Sequence, residues 1–377
     1  MPPGLGLGLS TKPGVKPQRR FRTRWTADGN KEIVLPLMTA GTYDFYVDWG
    51  DGTSERVTNS DSTHVSHMTN WCSFQIGENC IVSGHGWKHT YPSSGDYIVT
   101  ITGKIEGWYS GFSISAHKQH LWRDYLKEVL EWGCLELGPP ISSGLGYNFY
   151  DCENLVWSAT DRLQLGSCTN LRVAFQNCAS LGSSGRVNID TSAVTNMAGM
   201  FYGCTDFNMD FDNAFTLDSL SDAEGLKWFL GGDSAGSFTK ELPFLSTMDQ
   251  SQNMGYMFKN QTSYNNPQAS DFDMSNCTSI DEMFLNCSAF NQDISDWDVT
   301  SLAEDGDNAD FMNGANAFST ANYDALLTAW NAQDLNTGIS IHFGDATYTG
   351  GGSVAAARAN MVDSGEHDWT ITDGGTA

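Results

Sequence analysis

The chain has 377 residues, enough for two or three domains with real cores, and carries 45 Asp and Glu against 20 Lys and Arg, a formal net charge of −25. Such a balance is repelled by phosphate backbones and anionic lipid, which argues against a nucleic-acid partner. No apolar run approaches the roughly 20 residues of a membrane-spanning helix, so membrane insertion is not expected.

Residues 1–20, MPPGLGLGLSTKPGVKPQRR, are dense in Gly and Pro, and Lys12, Lys16, Arg19, Arg20, Arg22 and Arg24 crowd into this stretch and just beyond it. Residues 1–20 lack the basic start and unbroken apolar core of a secretory signal. The stretch reads as an extended arm, ordered only where it lies on another surface, with a loose tail as the other reading.

Alternating strands follow over 21–118: FRTRWTA, KEIVLPL, TYDFYVDWGDGT and GDYIVTITG, with turn residues between them. Asp48, Asp51, Gly52 and Asp96 are expected to shape turns rather than bind calcium, because Asp and Gly are favoured in turns for their own sake. The DWGDGT segment, followed by KHTYPSSGDYIVTITG from Lys88, resembles the PKD-like β-sandwich, an immunoglobulin-type module of cell-surface proteins. The resemblance implies a tight turn at WGDGT and a return to the last strand pair at HTY. A long insertion between Thr53 and Lys88 departs from it. That insertion brings Cys72, Cys80 and His85 near His89, and two thiols with two imidazoles suit tetrahedral zinc. The spacing C-x7-C-x4-H-x3-H is wider than familiar sites, so a Cys72–Cys80 disulfide or two free thiols remain open.

From Phe149 the chain repeats itself. FYDCENL, FQNCASL, FYGCTDF and FLNCSAF begin at Phe149, Phe175, Phe201 and Phe284, with weaker copies at Phe229, Phe258 and Phe311. Successive Phe residues stand 26, 26, 28, 29, 26 and 27 apart, inside the range of leucine-rich repeats. Aliphatics four residues before the Phe (Leu145, Leu171, Met197, Met254, Ile280) and apolar residues six after it complete an inward set. Two residues after each Phe stand Asp151, Asn177, Gly203, Gly231, Asn260, Asn286 and Asn313, all types that tolerate a left-handed backbone or bond their own turn. Cys152, Cys178, Cys204 and Cys287 share the position three after the Phe, and Cys168 and Cys277 a second one. One Cys per repeat is no chelate, so these are expected as a buried ladder beside Phe149, Phe175, Phe201, Phe258 and Phe284.

AFQNCASL and MFLNCSAFNQDISDWDVTS resemble the repeats of BspA-like leucine-rich-repeat surface proteins, including those of mycoplasmas, over about 120–318. The resemblance implies a right-handed solenoid displaying side chains for adhesion. The copies at Phe229 and Phe311 replace Cys by Gly and carry extra residues. Local bulges are expected there, and the loop after Phe229 is either a contact site or drift.

After Phe318 the spacing turns helical: TANYDALLTAWNAQ places Leu326, Leu327 and Trp330 on one face. A second helix is expected after GGG, with Ser353 as N-cap and Val354, Ala357 and Met361 inward. HDWTITDGG then closes as a short strand, with Trp369 and Ile371 packing in the cap. A stack of repeats needs such a cover for its last ladder.

The expected architecture is therefore mainly β with some α: arm (1–20), PKD-like β-sandwich (21–118), right-handed leucine-rich-repeat solenoid of about seven coils (119–318) and α/β C-terminal cap (319–377). No nucleophile elbow, HExxH or phosphate-cradling loop occurs, and no enzyme is expected. No cofactor is implied, although the acidic run from Asp293 through Asp296 and Asp298 to Asp310 has the ligand type for calcium, with a solvated face as the bland reading. Trp157 and Trp297 are candidate exposed contacts for sugar or protein.

The reading that follows is non-enzymatic attachment. Its preferred form is a phage-type virion component, a tail or capsid appendage docked through the arm onto other virion proteins, facing a host surface protein or glycan. A bacterial cell-surface adhesin, a calcium-dependent glycan-binding module and a purely architectural virion decoration are the alternatives.

Overall fold

The computed structural model describes residues 18–29, 31–59, 87–110, 121–139, 146–248, 252–303 and 308–377. Most of the arm, Cys72, Cys80, His85 and Leu145 lie outside the described residues. The fold is mainly β, with few helices.

Six strands come first: β1 (Arg20–Ala27), β2 (Glu32–Leu35), β3 (Leu37–Asp48), β4 (Ser54–Thr58), β5 (Trp87–Thr90) and β6 (Gly95–Trp108). A short helix α1 (Leu121–Tyr125) leads to β7 (Leu126–Glu131), β8 (Leu135–Glu136) and β9 (Val156–Trp157). Strands β4, β3, β6, β1, β7 and β9 lie side by side in that order, with β8 also on β6, while β2 and β5 form a separate antiparallel pair. Period-two alternation explains β1: Phe21, Thr23, Trp25 and Ala27 are buried, while Arg22 and Arg24 on the other face reach Glu131 and Glu128 at 2.8 and 2.9 Å.

Strand β7 runs antiparallel to β1 and parallel to β9. The N-terminal sheet therefore passes hydrogen bond by hydrogen bond into the first repeat. The packing is continuous too: Trp132 and Trp108 touch the Phe149 ring at 5.5 and 5.8 Å between centroids, and one apolar core runs from Phe21 to Trp369.

The repeats stack through backbone bonds to the same place in the next copy. Phe149 N–H donates to Ala174 O, Asp151 N–H to Gln176 O, Phe175 N–H to Met200 O and Asn177 N–H to Tyr202 O, at 2.7 to 2.9 Å. Short parallel pairs, β10 (Arg186–Val187) with β11 (Asp210–Phe211) and β12 (Gln252–Asn253) with β13 (Cys277–Ser279), mark another side of the stack. Inside, Phe149, Phe175 and Phe201 stack nearly flat, 5.1 and 5.7 Å apart, and Phe258 lies on Phe284 at 5.3 Å. The interruptions fall at the weak copies: Phe229 meets Phe201 edge-on at 87°, and Phe311 tilts 60° from Phe284.

Those copies also depart from the expected turn. Asp151, Asn177, Gly203, Asn260 and Asn286 have φ between 57° and 74°, as their residue types allow. Gly231 and Asn313 do not adopt that conformation, and at Phe311 the left-handed residue is instead Gly314 (φ 82°), one position later.

At the C-terminal end, α2 (Thr320–Trp330) is capped by Ser319 and buries Tyr323, Leu326, Leu327 and Trp330. Parallel strands β14 (Ser340–His342) and β15 (Thr370–Thr372) flank α3 (Gly352–Val362). The N-cap of α3 is Gly351 (φ 87°) rather than Ser353, because the Gly run makes the sharp entry and Ser353 already lies inside the helix. Met312 N–H donates to His342 O, so this unit continues the stack.

Candidate functional site

Of the zinc set suggested by the sequence only His89 lies within the described residues. His89 Nε2 lies 2.9 Å from Asp51 Oδ2, and its ring stacks on Trp49 at 4.4 Å. The imidazole is thus engaged with the turn, in which Asp48 and Asp51 accept the Gly50 and Thr53 N–H groups. In the acidic run, Glu304, Asp305 and Asp307 lie outside the described residues, while Asp293 and Asp298 each accept a backbone N–H two residues on and Asp296 is exposed. Among the described residues no three His, Cys, Asp or Glu side chains are grouped to hold a metal. Trp157 and Trp297 are not exposed contacts but core residues, 4% and 1% accessible. Their indole N–H groups donate to Ala159 O and Ala269 O, as buried indoles must find a partner.

The cysteines of the repeat are buried. Cys178, Cys204 and Cys287 donate to the carbonyls of Phe149, Phe175 and Phe258, one repeat earlier, each at 3.0 Å. Burial pushes the Cys168 and Cys277 thiols up to about 11 and about 12. These are protonated donors within a core.

What the structure adds is a second left-handed row, part buried and part half-buried. Tyr147, Val173, Gly199, Tyr256 and Glu282 stand two residues before their Phe, and Trp228 one before, with φ from 40° to 62°. A bulky or β-branched residue is a genuine outlier there. Gly199 shows that the bend needs no side chain, so each ring in the row is carried at a local cost of roughly 1–2 kcal/mol. Inter-repeat bonds hold the row in place: Val173 N–H to Ala198 O, Trp228 N–H to Gly255 O and Tyr256 N–H to Asp281 O, at 2.7 to 2.9 Å.

Trp228 and Tyr256 of this row form a cluster with Tyr202, which follows Phe201 in the repeat before them. The half-buried rings of Trp228 and Tyr256 lie 5.7 Å apart, tilted 45°. The Lys227 ammonium stands 4.7 Å from the Trp228 ring centre and the Lys259 ammonium 5.1 Å from that of Tyr256, within cation–π range. Lys259 pairs with Glu282 at 2.6 Å and Lys227 with Glu224 at 3.4 Å. Tyr202 donates its hydroxyl to Asp233 at 2.8 Å. Burial, with the carboxylates of Asp233 and Glu282 and the neighbouring Tyr256 hydroxyl, raises the Tyr202 phenol well above its ordinary range. It is a neutral donor throughout the usual pH range.

This ledge offers two half-buried rings with ammonium groups over their faces, beside carboxylate and phenol groups. It can bind; it holds no activated nucleophile. Asp233 sits in the loop after Phe229 that the sequence marked as contact or drift, but the rings were missed. The available signal was an aromatic recurring just before the repeat Phe, at Tyr147, Trp228 and Tyr256.

Residues 144–227 and 233–330 match a family described as Mycoplasma protein of unknown function, DUF285, over just under half of the chain. The match supports the resemblance of these repeats to BspA-like surface proteins. No curated protein and no solved structure matches the chain. No helix among the described residues is long and apolar enough to cross a membrane.

Proposed function

We propose that this is a non-enzymatic attachment protein displayed at a surface, in which a right-handed leucine-rich-repeat solenoid, held at one end by a PKD-like β-sandwich, presents the Tyr202–Trp228–Tyr256 ledge to a partner. The observation that carries the reading is the pair Trp228 and Tyr256 in that ledge: bulky rings kept in a strained backbone conformation where glycine would serve. Strain of this kind collects at sites where the side chain is needed. Repeat stacks provide broad faces suited to such contacts without a pocket. The family match favours display on a cell, in an extracellular or surface location. The virion placement rests on the composition of the arm, and residues 1–17 lie outside the described residues. The calcium-dependent form has no ligand group to support it among the described residues.

The test is adhesion of beads coated with the full chain to bacterial and host cells. Trp228→Gly/Tyr256→Gly keeps the left-handed backbone and removes both rings. It is expected to lower adhesion about tenfold or more, as loss of two aromatic anchors does, with the thermal melt still cooperative. Unchanged adhesion would remove the ledge from the function.

A further inference from the structure

We infer that the ledge takes a neutral, extended glycan, laid along the axis of the stack with one sugar ring per repeat. The inference rests on the reading of the ledge as a contact face and names its ligand.

The first argument is period. Tyr202, Trp228 and Tyr256 come from three successive repeats, and the last two rings are 5.7 Å apart. That is comparable to the advance of an extended chain of pyranoses per sugar, so a periodic ligand meets a periodic surface. Trp228 and Tyr256 can each face the apolar C–H side of one sugar, as aromatic rings do for flat apolar surfaces, once the flexible lysine standing over the ring swings aside.

The second is charge. A chain of net charge −25 repels acidic polymers. The two lysines at the ledge do not reverse this, because Glu224 and Glu282 neutralise them. An anion would have to break those pairs; a neutral ligand leaves them intact.

The third is hydrogen-bonding character. Sugar hydroxyls both donate and accept, and the ring edges carry both kinds of group: Asp233 and Glu282 accept, Lys227 and Lys259 donate, and the Tyr202 hydroxyl does either. A purely apolar partner would leave these groups without use.

The experiment is binding of the full chain to an array of neutral oligosaccharides of increasing length, acidic oligosaccharides, and glycan-free proteins, at low and high salt. The expected result is binding to neutral chains that strengthens with length up to three rings and is insensitive to salt. It should fall at least tenfold in Trp228→Gly/Tyr256→Gly and stay unchanged in Asp296→Asn, an exposed position away from the ledge. Salt-sensitive binding to acidic chains alone, binding to protein alone, or no binding to any neutral chain would overturn the glycan assignment. The contact-face reading falls separately, only if the glycine variant adheres to cells as well as the parent protein.

Discussion

The Cys178 thiol donates a 3.0 Å hydrogen bond to the backbone carbonyl of Phe149, one repeat earlier. The Cys152 N–H donates to the same carbonyl at 3.2 Å, so the thiol supplies its second bond, and the sulfur fills the space beside the Phe stack. Cys178→Ala leaves a cavity and removes one of the two bonds to that carbonyl, and should cost about 1–3 kcal/mol in urea unfolding. Burial holds the thiol well above its ordinary pKa, so alkylation of Cys178 and Cys287 in the native protein should wait for unfolding. Rapid native labelling at either position would contradict the packing.

The Asn177 side chain donates to Asp151 Oδ1 at 2.8 Å, and Asn286 to Asn260 Oδ1 at the same distance. These amides run between adjacent left-handed bends. Asn177→Ala removes the bond and places a Cβ-bearing residue with no local hydrogen bond at φ 60°. A loss of about 2 kcal/mol is expected. Asn177→Gly relieves the backbone cost and should recover roughly half of that. Chemical denaturation of the three proteins separates the two contributions.

The repeat was readable because Phe, Cys and Asx recur with a chemistry of their own: the Phe fills, the thiol bonds back, the amide turns. The second left-handed row was not, because Tyr147, Val173, Trp228, Tyr256 and Glu282 share no propensity for the conformation they adopt. Inter-repeat bonds such as Tyr256 N–H to Asp281 O, at 2.7 Å, impose it, and those exist only once the copies are stacked. Trp297 misled for a related reason. Asp296 and Asp298 on either side are exposed, yet the turn at Ser295–Asp296, closed by Trp297 N–H to Ile294 O at 3.3 Å, leaves the indole between them buried. The turn at Asp48–Thr53 could be read because its bonds are local; the partner of His89 could not, because 38 residues separate it from Asp51.

Acid should loosen the N-terminal sheet through Asp51. Burial favours the neutral acid, but hydrogen bonds from the Thr53 hydroxyl and N–H and from His89 outweigh it and hold this carboxyl below its ordinary value. The group therefore contributes stability above the unfolded value of about 4, and that contribution is lost as the pH falls below it. Urea midpoints should drop from about pH 6 to about pH 3, and the drop should be smaller in Asp51→Asn, which is already destabilised at the higher pH. An equal drop in both proteins would remove Asp51 from the acid response.

Arg123, on α1, carries a side chain only 5% exposed and places Nη1 2.9 Å from Asp151 Oδ2. The same carboxylate accepts the Asn177 amide on its other oxygen, so the guanidinium closes the amide row where the first repeat meets the N-terminal sheet. Arg123→Met leaves a partly buried carboxylate without its counter-charge, and a loss of about 3–5 kcal/mol is expected. Replacing both partners, Arg123→Met with Asp151→Asn, restores an amide at a left-handed position that already suits Asn in the next repeat. The double variant should therefore be more stable than Arg123→Met alone, a coupling that thermal melts of the four proteins in the cycle measure directly. Additive losses would mean that the pair acts as two separate surface charges, and that something other than this ion pair closes the row.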